Sequence, residues 1–93
     1  MNLNDRFVAS EDVVAREVSG ETVLLDLTNG QYFGLDPVGG RIWELLSEKP
    51  RSLSAVCDTI ESEYDAPRET IEADILALAA DLAERDLIVA EAG

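Results

Sequence analysis

Residues 30 to 46 read Gly30-Gln31-Tyr32-Phe33-Gly34-Leu35-Asp36-Pro37-Val38-Gly39-Gly40-Arg41-Ile42-Trp43-Glu44-Leu45-Leu46, an aromatic strand that passes through Asp36-Pro37 into an amphipathic helix. Asp36 can accept hydrogen bonds from the free amides of a first helical turn, and Pro37 at the first helical position sacrifices no bond. The helix is expected to reach about Ser47, with Val38, Ile42 and Leu45 on its buried stripe and Leu46 widening it. Gly39 stands one turn before Trp43 and leaves room for a neighbour beside the indole. The Gly39-Gly40 pair costs the helix roughly 1 kcal/mol per glycine relative to alanine.

Upstream, Val13 to Val18 and Thr22 to Leu27 flank Ser19-Gly20-Glu21, which predicts a hairpin. Val23, Leu25 and Leu27 share one face of the second strand, so the odd positions are expected to cover the core and Asp26 to face out. Asn29-Gly30 supplies a second turn, and Gln31 to Leu35 completes a three-stranded meander with Phe33 and Leu35 inward and Tyr32 on the opposite face. The third strand then lies at an edge, which an extended peptide can join.

Downstream, Lys49-Pro50-Arg51 ends the first helix and Ser52 caps a second. Leu53, Cys57, Ile60 and Tyr64 form that helix's stripe. A third helix is expected from about Pro67 to Glu84, with Ile71, Ile75, Leu78 and Leu82 buried. Leu76, Ala79, Ala80 and Ala83 make a second stripe of mostly small residues, read either as a helix packed on two sides or as a trough that another chain can approach. Leu87-Ile88-Val89 predicts a short extended end, with residues 90–93 a loose tail.

Hydrophobic residues make up 46% of the 93 and charged residues 29%, the balance of one globular domain. The ordered core is expected from about Val13 to Val89, too small to enclose a cofactor. No run approaches the roughly 20 apolar residues of a membrane span, and the N-terminus lacks the pattern of a signal peptide, so a cytoplasmic location is expected. Twenty acids against seven bases give a net charge of −13, which disfavours nucleic acid and anionic membrane and favours a basic peptide.

With no histidine and one cysteine, neither a nucleophile-base pair nor a zinc site can be assembled, so no enzyme activity, metal or cofactor is expected. Cys57 reads as core packing, since its helical neighbours Asp58 and Glu61 oppose a thiolate. Three strands and three helices also fit a winged-helix transcription regulator. The helix from Pro67 to Glu84 carries only Arg68 against Glu69, Glu72, Asp74, Asp81 and Glu84, however, and a recognition helix needs several cations.

Four segments occur here in one order and spacing. They are Leu25-Asp26-Leu27 before a turn glycine, Gly30-x-Tyr32-Phe33-x-Leu35-Asp36-x-x-Gly39-x-x-Ile42-Trp43-x-x-Leu46, Glu63-Tyr64-Asp65, and Ile71-x-x-Asp74-Ile75 with Leu82-x-x-Arg85-x-Leu87-Ile88. Taken together, from about Val13 to Val89, they resemble the PqqD-like proteins, the recognition elements for precursors of ribosomally made, modified peptides. The resemblance implies an α+β, winged-helix-like fold, a three-stranded antiparallel sheet followed by three helices. It implies a non-catalytic module that binds the leader segment of a precursor peptide as an added strand and presents it to a modifying enzyme.

Carried onto this chain, the strand edge would be Asn29, Gln31, Tyr32, Phe33 and Gly34, and the facing helix would offer Ala73, Leu76, Ala77 and Ala80. The aromatic strand and the Gly39/Trp43 helix look closer to lasso-peptide members, whose partner is a leader peptidase, than to the quinone-biosynthesis subgroup, whose partner is a radical SAM enzyme. An exposed third strand can also pair with its twin in a homodimer. Ala66 stands before Pro67 where many relatives place a polar cap, which affects only where the third helix begins.

Overall fold

The first element is a strand that the hydrophobic pattern does not announce: β1 (Arg6–Ala9) precedes the hairpin. A computed structural model describes residues 1–91 of the chain. After β1 come β2 (Val13–Val18), β3 (Glu21–Asp26), β4 (Tyr32–Leu35), α1 (Pro37–Glu48), β5 (Arg51–Ser52), α2 (Leu53–Glu63), α3 (Arg68–Glu84) and β6 (Ile88–Ala90). The expected meander is β2-β3-β4, and the three helices follow as expected in an α+β arrangement. A second antiparallel sheet, β5-β1-β6, stands beside it, so the packed structure begins ahead of Val13. Phe7, on β1, belongs to the core, with Leu3 packed against it.

Local chemistry explains the boundaries. Asp36 Oδ1 accepts from the Gly39 amide at 2.7 Å and Ser52 Oγ from the Ala55 amide at 3.1 Å, so both expected caps form. No side chain caps α3, whose N-cap is Pro67. Ser19 and Gly20 take positive φ (53° and 85°) in the two-residue β2-β3 turn, as its handedness requires. The β3-β4 loop is longer: Asp26 and Gln31 bracket Leu27 to Gly30, only Gly30 has positive φ (72°), and Asn29 Oδ1 accepts from the Gln31 amide. Of the expected tail, Ala90 belongs to β6, and residues 92–93 lie outside the described residues.

One face assignment is reversed. Leu24 is fully buried and Asp26 is 7% exposed, whereas Leu27, expected inward, is 60% exposed and Val23 and Leu25 are only half-buried. The register gives the cause: Leu24 pairs with Phe33 and Thr22 with Leu35, so the even residues of β3 share the core face with the odd residues of β4. Asp26 is tolerated inside because Oδ1 accepts from the Thr28 amide at 2.9 Å and closes the loop.

The core gathers Leu24 and Leu35 from the meander, Ile42, Trp43, Leu45 and Leu46 from α1, Leu53, Val56, Cys57 and Ile60 from α2, and Ile71, Ile75, Ala79 and Leu82 from α3. Tyr64, expected on the α2 stripe, is instead the C-cap and 37% exposed, because the helix ends at Glu63. Gly40, more than Gly39, is the point of closest approach: a Cβ there would lie 3.2 Å from Thr22 Cβ and press on its hydroxyl, so glycine lets α1 seat on β3.

Arginines tie the helices together. Arg41 grips Glu63 with two nitrogens, joining α1 to the end of α2, and Arg68 reaches Asp58, Glu61 and Glu72 from α3. Through its hydrogen bond above all, Arg41 holds the Glu63 carboxyl below the ordinary glutamate value, against a smaller opposing effect of desolvation.

Candidate functional site

Among the described residues β4 is hydrogen-bonded on one side only, because the meander order β2-β3-β4 leaves its other side without a strand. The Asp26 amide donates to the Gln31 carbonyl at 2.9 Å, which marks Asp26 opposite Gln31 as a hydrogen-bonding position of the ladder. Antiparallel alternation then bonds Phe33 to Leu24 and Leu35 to Thr22, and turns the N–H and C=O groups of Tyr32 and Gly34 outward. These four main-chain groups line the open edge.

Beside that edge runs a cleft of about 520 Å³. Phe33, Leu35, Val38, Ile42 and Leu78 give it apolar walls, and Asp36 and Asp74 are its charged residues. It continues past Val38, Ile42 and Asp74 into an apolar recess of about 120 Å³ against Ile60, Tyr64, Ala66 and Ile71. At the Gln31 end the cleft closes. There Arg85 lies over the Phe33 ring at 4.9 Å from its centroid, a cation–π contact, while its Nε donates to Asp81 at 3.0 Å.

The strand-side candidates come together. Asn29, Gln31, Tyr32 and Phe33 line the closed end with Arg85 and Leu87, and Phe33 and Gly34 line the open cleft. Tyr32 is 71% exposed, with its side chain on the outer face of the sheet, so what it offers the edge is main chain.

The helix-side candidates do not join them. The helical wall consists of Asp74 and Leu78, with Arg85, held by Asp81, at the closed end. At about 100° per residue, Ala73, Leu76 and Ala80 lie roughly 140–160° around α3 from Leu78, on the far side. Ala77, about 100° away, is on the same side of the helix as Asp74 and Asp81 but is not a cleft residue. Among these cleft residues, sequence reasoning passed over Asp74, Leu78 and Arg85 as site residues. Their common spacing, one position round from the buried Ile75 and Leu82, was the available signal.

Among the described residues no three His, Cys, Asp or Glu side chains are grouped to hold a metal, and no helix is long and apolar enough to cross a membrane. Cys57 is fully buried, and desolvation pushes its thiol up from the ordinary value, so it offers no ready nucleophile. The geometry suits main-chain pairing with an extended polypeptide, whose alternate side chains would enter the apolar cleft.

Residues 21–88 match the family described as coenzyme PQQ synthesis protein D (PqqD). Among solved structures, the chain is similar to TbiB1 in complex with the TbiA(beta) leader peptide, with 40% identity, coverage of 92% of this chain and 99% of that one, and a TM-score of 0.80. It is also similar to a lasso peptide synthetase B1 complexed with its leader peptide, with 28% identity, coverage of 89% and 96%, and a TM-score of 0.76. No curated protein matches the chain.

Proposed function

We propose, on the premise that the chain belongs to the PqqD family, that it captures the leader of a lasso-peptide precursor as an added strand on β4. The observation that carries this reading is the outward row of Tyr32 and Gly34 main-chain groups beside an apolar cleft. Pairing with the edge supplies affinity with little dependence on sequence, and the cleft supplies selection through alternate side chains. The protein performs no chemistry itself. It raises the local concentration and fixes the register of a substrate for a separate leader peptidase.

The outer face of the same sheet supports the second half of this role. Val14, Leu25 and Tyr32 stand in one row across three strands, with Val23 in the next row and Val18 beyond. Val14, Val18 and Tyr32 are 45%, 51% and 71% exposed. A leader on β4 would widen this face by one strand, so an enzyme seated there would meet protein and leader as one surface.

The test is titration of the purified protein with the leader of the precursor encoded beside its gene, read by fluorescence anisotropy. Saturable binding at micromolar concentration or tighter is expected, and its absence would remove the reading. Tyr32→Asp should leave leader affinity within about twofold, because the side chain points away from the cleft, while slowing leader removal by the peptidase.

A further inference from the structure

The open half of the cleft holds a carboxylate with nothing to neutralise it. Asp74 is exposed at the junction of the two recesses and takes part in no ion pair or side-chain hydrogen bond among the described residues. The nearby acids are otherwise engaged: Asp36 Oδ1 accepts from the Gly39 amide, Asp81 is paired with Arg85, and Glu72 with Arg68. No lysine or arginine lines this part of the cleft, and the arginine at its other end lies at the closed Gln31 end. Apolar walls with two carboxylates, of which Asp36 is held at its helix cap and Asp74 is unbonded, match a long basic side chain, whose methylenes can lie on Phe33, Val38 and Leu78 while its charge reaches Asp74. The net charge of −13 favours approach of such a segment.

Resting on the leader-capture reading above, we infer that Asp74 selects a leader with a lysine or arginine at the inward position facing the Gly34–Asp36 end of the cleft. At the closed end Asp81 is already paired with Arg85 and Asp26 is buried, so the exposed, unpaired carboxylate lies toward the Gly34–Asp36 end. The carboxylate is a specificity determinant and not an anchor, since a half-exposed ion pair discriminates by only a few-fold.

A random peptide library displayed on phage, selected separately against the wild-type protein and the Asp74→Lys, Asp74→Asn and Gly34→Pro variants, tests this. Wild-type binders should show Lys or Arg enriched at one position by a factor of about 2 to 5, the range of an exposed pair. Asp74→Asn should lose that enrichment, and Asp74→Lys should replace it with Asp or Glu. A wild-type pool without basic enrichment, or an enrichment unchanged in Asp74→Asn, would overturn the inference. The underlying reading fails separately, if the wild type retains no peptides or if Gly34→Pro, with its strand edge blocked, retains the same pool in the same yield. Since Asp74 is exposed and unpaired, both of its variants should melt with the wild type, which keeps the comparison clean.

Discussion

Replacing Gly34 by proline separates the strand edge from the rest of the molecule. The Gly34 amide points away from β3, so proline removes no bond of the sheet, and a Cβ at this position meets nothing within 4 Å. Proline is tolerated at such outward-facing edge positions, and Phe33 before it is already extended. For a bound strand the change is severe. One main-chain bond disappears, worth about 0.5–1.5 kcal/mol, and the ring occupies the space of the incoming carbonyl, which weakens the neighbouring bond as well. A total of about 1–3 kcal/mol corresponds to a Kd raised roughly 5- to 150-fold. Fluorescence anisotropy with the leader peptide measures the affinity and a circular dichroism melt checks the fold. A folded Gly34→Pro protein that binds within about twofold of wild type would refute pairing at this edge.

Three further comparisons of variants examine the fold that holds the edge. Leu24→Ala should cost about 2–5 kcal/mol in chemical denaturation, because the side chain is fully buried, whereas Leu27→Ala should stay within about 0.5 kcal/mol, and equal losses would restore the opposite face assignment for β3. Gly40→Ala should lower Tm despite a helix-propensity gain of about 1 kcal/mol, since overpacking against Thr22 costs about 1–3, and Thr22→Ala should rescue it; a raised Tm would deny the close approach. Glu63, with its pKa depressed in the folded state, stabilises above the unfolded value of about 4.3 and loses that contribution as pH falls through its lower folded value. The Tm advantage of wild type over Glu63→Gln should therefore be present at about pH 6 and fade towards about pH 3, and an advantage that grew on acidification would contradict the Arg41 pairing.

The helical half of the molecule was legible because its signals are local. Asp36-Pro37 and Ser52 act within one turn of themselves, and the Ile71-Ile75-Leu82 stripe is a property of one helix. The strand faces required two elements at once. Val23, Leu25 and Leu27 outnumber the apolar residues of the opposite face, yet Phe33 and Leu35 cannot share the core with them: the four-residue loop pairs odd with even, and the two-residue Asn29-Gly30 turn expected from sequence would have done the same. β1 was hidden because Arg6-Phe7-Val8-Ala9 is short, and it pairs with Arg51-Ser52 and Ile88–Ala90, segments far along the chain.

At the site, the strand edge followed from the order of the meander. The helical wall did not, because which side of α3 faces β4 depends on how the helix lies across the core. Small residues drew attention to Ala73, Ala77 and Ala80, while Asp74, Asp81 and Arg85 read as a solvated face. In the structure a charged stripe beside the buried one forms the cleft wall.

Hydrogen exchange at individual amides, with and without saturating leader peptide, reads strand addition on β4 residue by residue. The Tyr32 and Gly34 amides, turned outward in the free protein, should become protected on binding, and the Phe33 amide, already bonded to Leu24, should change far less. Protection that appeared instead along β2 or β6, with Tyr32 and Gly34 still exchanging freely, would place the guest elsewhere and rule out capture on β4.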